Sequence, residues 1–169
     1  GKNVVVVRVE DTGGGGGISW TSTNSDFPDR YVGIDMSVDG TFGITGAGSG
    51  TRPFVEGSVI RVFGSSTVNT GIGSNNGFLQ VRNSSVEVSG GAGSTALRTG
   101  STSFAGSVRV DNSTIVGSPN ALIIVDETLG SLTQVDIGGS RLNGTVTATG
   151  DRHCIASYTL VGSNYVALD

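Results

Sequence analysis

"VRVDNSTI" (Val108–Ile115) compresses a strand, a bend and the start of a second strand into one short stretch. Val108 and Val110 alternate with Arg109 and Asp111, the period-two pattern of a strand with one buried face. Asn112 is, with Gly, one of the two residue types that best tolerate a left-handed backbone, so the chain turns sharply there. Ser113 follows the bend and Ile115 returns to the interior. The same order recurs in "IRVFGSST" (Ile60–Thr67), "LQVRNSSV" (Leu79–Val86), "VDIGGSRL" (Val135–Leu142) and "YTLVGSNY" (Tyr158–Tyr165). The bend position holds Gly64, Asn83, Asn112, Gly139 and Gly162, and the serines after it are Ser65, Ser84, Ser113, Ser140 and Ser163, 19 to 29 residues apart. Repetition of one bend at that spacing, with variable loops between copies, predicts a solenoid whose coils stack over one continuous core. A β-sandwich would also supply short strands and Gly-rich turns, but it has no reason to repeat one corner five times.

The remaining composition agrees. The chain has 169 residues, of which 36% are hydrophobic and 14% charged, with 29 Gly. That length is enough for one domain with a sizeable core. Valine dominates the apolar residues, which favours strand, and no window of a dozen residues places apolar positions at helical spacing. The fold class is all-β, a parallel β-helix. A net charge of −4 with one Lys (Lys2) and scattered Arg makes no basic patch, which excludes nucleic acid as a partner. No apolar run approaches the roughly 20 residues that span a bilayer. The single Cys excludes an internal disulfide and the single His excludes a His-based metal site within one chain.

The last 110 or so residues, ending "VDIGGSRLNGTVTATGDRHCIASYTLVGSNYVAL", also carry a resemblance. Val135, Ser140, Leu142, Gly144, Val146, Gly150, Cys154, Tyr158, Tyr165 and Leu168 match the ending typical of secreted bacterial right-handed parallel β-helix proteins of the pectate-lyase-like superfamily. The resemblance implies a right-handed coil and an extracellular or cell-surface location. It implies no particular activity, because most such proteins carry no assigned chemistry.

A search for chemistry yields no catalytic, metal or cofactor residues. Asp26, Asp29, Asp35, Asp39, Asp126 and Glu127 are read as solvated loop carboxylates, with a weak Ca²⁺ site at Asp35 and Asp39 as the alternative. Asp111 and Asp136 are read as occupying equivalent positions one coil apart, with Arg82 in the coil before them. His153 and Cys154 are adjacent on a strand and point to opposite faces, which argues against a nucleophile–base pair and makes Cys154 a small core residue, with an intermolecular or chain-end thiol partner as the alternative. Asn83, Asn112 and Asn143 head Asn-X-Ser/Thr sequences and are candidate glycosylation sites. Gly13–Gly17 and Gly46–Gly50 lack the Lys-Ser/Thr ending of a phosphate loop. Trp20, Phe27 and Tyr31 read as a cap over the first coil, or as a carbohydrate-stacking surface.

The N-terminus reads as three parts: an apolar strand in residues 1–12, a glycine tether at 13–17, and the β-helix domain at 18–169. Val4, Val5, Val6, Val7 and Val9 need burial, while Gly13, Gly14, Gly15, Gly16 and Gly17 have no side chains to provide it. The expectation is that this strand is donated to a neighbouring subunit, making the chain a self-assembling structural subunit of an extracellular filament or adhesive surface, and not an enzyme. The competing reading is a module that binds or cleaves a surface polysaccharide.

Overall fold

The computed structural model describes residues 8–11, 15–21, 29–47, 52–75, 78–101, 107–126, 134–147, 152–155, 158–161 and 164–167. All regular structure in these residues is β-strand. The chain begins with β1 (Arg8–Asp11), β2 (Gly16–Thr21), β3 (Asp29–Val32), β4 (Asp35–Asp39) and β5 (Phe42–Ala47), followed by β6 (Pro53–Glu56), β7 (Val59–Phe63) and β8 (Thr70–Ser74). It continues through β9 (Phe78–Arg82), β10 (Ser85–Ser89), β11 (Thr95–Ser101), β12 (Ser107–Asp111) and β13 (Thr114–Asp126). It finishes with β14 (Gln134–Gly138), β15 (Arg141–Thr147), β16 (Arg152–Ile155), β17 (Tyr158–Val161) and β18 (Asn164–Ala167).

These strands wind as a parallel β-solenoid with three faces. Face 1 stacks β1, β4, β7, β10, the first turns of β13 and β15, and β17; face 2 stacks β2, β5, β8, β11 and the remainders of β13 and β15; face 3 stacks β3, β6, β9, β12, β14 and β16. Every one of these pairings is parallel, and β13 and β15 run through the corner that joins faces 1 and 2. The register shifts there between Val116 and Leu122. Gly117 permits the bend, since a Cβ on it would overlap the Asn120 carbonyl. The exception is β18, which pairs antiparallel with β17.

The core is a set of columns along the solenoid. Met36, Ile60, Val86, Ile115 and Leu142 are register neighbours on face 1; Ile44, Ile72 and Leu97 on face 2; Val55, Val81, Val110 and Ile137 on face 3. All are fully buried, each contributing on the order of 1.5–3 kcal/mol of transfer free energy. A second column on face 2 is small: Gly17, Gly43, Gly71, Ala96 and Ala121 follow one another coil by coil. A Cβ on Gly43 would sit 2.7 Å from both the Gly71 carbonyl oxygen and Ile60 Cγ2, so the interior has no room there.

The glycine run is explained by the same crowding, and this corrects the tether. Gly16 and Gly17 belong to β2, and the Gly15 carbonyl accepts a hydrogen bond from the Thr41 N–H at 2.8 Å. The Phe42 ring occupies the space a Gly16 Cβ would need, and a Gly17 Cβ would overlap the Gly43 carbonyl and lie 2.7 Å from Met36 Sδ. Gly16 and Gly17 are packed rungs; Gly13 and Gly14 lie outside the described residues. The apolar arm is corrected in part. Arg8–Asp11 forms the edge of face 1 of its own chain, with Val9 opposite Met36 on β4. As far as Val9, the strand expected in a neighbour is an intramolecular rung, while Val4, Val5, Val6 and Val7 lie outside the described residues.

Candidate functional site

The repeated bend forms a hydrogen-bonded ladder at the corner between faces 3 and 1. Gly33, Gly57, Asn83, Asn112 and Gly139 all have φ between 45° and 67°, the left-handed conformation expected of Asn or Gly. The residue after each of the first four starts a step of the ladder, and Ser140, after Gly139, ends it. Ile34 N–H donates to Ser58 Oγ at 3.1 Å, Ser58 N–H to Ser84 Oγ at 3.1 Å, Ser84 N–H to Ser113 Oγ at 3.2 Å, and Ser113 N–H to Ser140 Oγ at 3.1 Å. Each hydroxyl in turn donates to the carbonyl two residues before it: Glu56, Arg82, Asp111 and Gly138, at 2.7 to 2.9 Å. The four serines are buried. A buried corner leaves its N–H groups without water, and a serine from the next coil satisfies each of them.

Three of the five serines singled out by sequence, Ser84, Ser113 and Ser140, stand on this ladder. Ser65 does not. It is exposed, and Gly64 turns the next corner, from face 1 toward face 2, within 2.9 Å of the Gly40 carbonyl oxygen at its Cβ position. The correct first copy is "FVEGSVI", with Gly57 and Ser58, because β6 pairs with β9 while "IRVF" in β7 pairs with β10. Ser58, Ser84, Ser113 and Ser140 are 26, 29 and 27 residues apart. Coil length varies, however, to 17 residues between Arg141 and Tyr158, so the 19-residue spacing of Ser65 and Ser84 does not give the misassignment away. The last copy is also displaced by one face, since β17 continues face 1 through Arg141 opposite Tyr158. Gly162 and Ser163 lie outside the described residues, between the paired strands β17 and β18.

Outward residues of face 3 form a chequered polar surface. One column holds Arg30, Phe54, Gln80, Arg109 and Asp136; its neighbour holds Val32, Glu56, Arg82, Asp111 and Gly138. Asp136 therefore stacks beside Arg109 and Asp111 beside Gly138, which corrects the expectation that the two aspartates are equivalent. Arg109 Nε donates to Asp111 Oδ2 at 2.7 Å, and Arg30 meets Glu56 at 3.4 Å while lying 5.1 Å from the centre of the Phe54 ring. Arg52 lies 4.4 Å from the centre of the Phe78 ring. Phe54, Gln80, Val81, Arg82, Arg109, Asp111 and Asn112 line a groove of about 340 Å³ on this face. Sequence reasoning missed the groove because its residues come from three coils, and only register brings them together.

The other sequence candidates are dispersed. Asp35 sits 3.7 Å from Arg61 on face 1, and no group of three or more His, Cys, Asp or Glu suited to a metal occurs among the described residues. Tyr31 packs on the core from face 3; burial first, and the charge of Asp29 second, hold its phenol well above the ordinary tyrosine range. Cys154 takes the register of buried Ile137, and His153 that of Asp136. Asn83 and Asn112 are exposed at the corner and Asn143 is half-buried within β15. Among the described residues no helix is long and apolar enough to cross a membrane.

Comparison of the chain with family models, with curated proteins and with solved structures finds no match. The class that the structure defines is the parallel β-solenoid, and the sequence resemblance extends to that fold and no further.

Proposed function

We propose that the chain is a structural subunit of an extracellular filament or adhesive surface assembly, in which the solenoid itself is the working part. The observation that carries this reading is the uninterrupted ladder from Ile34 to Ser140, matched by core columns of the same length. A scaffold in which each coil satisfies the corner of the one before is suited to bearing load or presenting a surface at fixed spacing. Two pairs of outward charges meet across coils, Arg30–Glu56 and Arg61–Asp35, which suits a wet exterior.

Assembly in this reading proceeds end to end. Strands β1, β2 and β3 are the outermost described strands of the three faces at the N-terminal end, and edges of this kind accept further strands. A heterologous contact of that type propagates as a filament. Val4–Val7 immediately precede β1 in the sequence, and this reading assigns them to a neighbour. The C-terminal end of face 1 turns back in the β17–β18 hairpin, which directs a second subunit to the other two faces there.

Electron microscopy and sedimentation of the full chain, beside a variant lacking residues 1–7, test this reading. The expected result is elongated particles that lengthen with concentration, and their loss in a variant with unchanged β circular dichroism. Monomers at every concentration would overturn it. The alternative, a polysaccharide-binding or polysaccharide-cleaving module, is favoured by one observation only, the polar, aromatic-edged groove on face 3.

A further inference from the structure

The groove on face 3 holds an unengaged guanidinium that the solenoid does not need. Arg82 lies in register between Glu56 and Asp111, the two carboxylates best placed to neutralise it. Both are already engaged, Glu56 by Arg30 and Asp111 by Arg109. Among the described residues Arg82 makes no ion pair. Two guanidinium groups on adjacent coils thus line the groove with Asp111, Asp136 stacks beside Arg109 on the next coil, and Arg109 donates its Nε–H to Asp111. Gln80 lies in register between Phe54 and Arg109, and the exposed Asn112, at the rim, adds a second amide donor. Arg82 therefore presents a fork of unengaged donors, flanked by amides that can donate or accept. Across the two outward columns Arg30, Arg82 and Arg109 stand against Glu56, Asp111 and Asp136, so what the groove has in excess is the unengaged guanidinium of Arg82 and not net charge.

We infer that this groove is a binding site for an oxyanion group, a carboxylate or a phosphate or sulfate ester, held by Arg82 and Arg109 against the edge of Phe54. A guanidinium presents parallel N–H donors at the spacing of two oxygens of such a group, which gives geometry as well as charge. Arg82 supplies the free fork. Arg109, fixed by Asp111, supplies an oriented second one. The site is independent of the assembly reading, since face 3 lies along the side of the solenoid and not at its ends.

Nuclear magnetic resonance of arginine Nε–H and backbone signals tests the site, using the full chain at constant ionic strength with acetate, inorganic phosphate and sulfate as separate probes. Saturable shifts of Arg82 and Arg109 are expected with at least one probe. Saturation by acetate alone identifies a carboxylate ligand, by phosphate or sulfate alone a tetrahedral ester, and by all three a general oxyanion site. Arg82→Gln is expected to weaken binding at least tenfold and Arg82→Lys to weaken it less, whereas Arg61→Gln on face 1 leaves it unchanged. The side chains replaced are exposed, and the backbone spectrum verifies the fold of each variant. Shifts that grow linearly without saturation, or Arg82→Gln binding as tightly as the parent, would overturn the inference.

Discussion

Replacing Ser113 by Ala removes one hydroxyl from the centre of the corner ladder. Ser113 Oγ accepts from Ser84 N–H at 3.2 Å and donates to the Asp111 carbonyl at 2.7 Å. Alanine fits the site, so no overpacking arises. What changes is that the Ser84 N–H, buried at the corner, loses its acceptor. Stranding a buried donor costs about 1–3 kcal/mol, and the lost bond to Asp111 adds a fraction of the roughly 1 kcal/mol typical of a hydrogen bond. A destabilisation of about 2–3 kcal/mol follows. At about 2–4 °C per kcal/mol for a domain of this size, the midpoint of thermal unfolding should fall by roughly 4–12 °C. Thermal and urea unfolding followed by circular dichroism measure it, and hydrogen exchange should accelerate most at the Ser84 amide. Ser65→Ala is the internal control: it is exposed, carries the same Gly-Ser signature, and should stay within about 0.5 kcal/mol of the parent. A Ser113→Ala protein as stable as Ser65→Ala would refute the reasoning.

Other substitutions probe the same packing. Gly17→Ala distinguishes a packed rung from a tether: overlap with the Gly43 carbonyl and Met36 predicts a loss of about 1–3 kcal/mol in chemical denaturation, where a tether would show none. At the corner, Gly57 has φ of 59° with open space around its Cβ position, so only backbone strain is at stake. Gly57→Ala should cost about 1–2 kcal/mol and Gly57→Asn clearly less, as read from the urea midpoint; equal costs would contradict the left-handed corner.

Much of the architecture was legible because the corner chemistry is local. An Asn or Gly that must turn left-handed and a Ser that must satisfy a buried N–H are constraints written in adjacent residues, and Asn83–Ser84, Asn112–Ser113 and Gly139–Ser140 declare them. Alternation alone was less informative. "IRVFGSST" alternates as well as "LQVRNSSV", yet it lies on a different face, because each coil has more than one Gly-marked corner and period two does not say which. The glycine run misled for a related reason. Composition reads it as a tether, whereas the need for glycine arises from the Phe42 ring and the Gly43 carbonyl one coil away. The face 3 groove was out of reach for sequence, since Phe54, Gln80 and Arg109 become neighbours only when the loop lengths between coils fix the register.

Disulfide trapping tests that register most directly. In a Cys154→Ala background, Arg61→Cys with Glu87→Cys places two thiols at opposed positions on β7 and β10, about 5 Å apart across the parallel pair. Arg61→Cys with Gln80→Cys instead follows the alignment of "IRVFGSST" on "LQVRNSSV" and puts them on different faces. Peptide mass mapping after mild oxidation should find an intramolecular link in the first protein and none in the second. A link in the second and not in the first would contradict the stacking of coils described above.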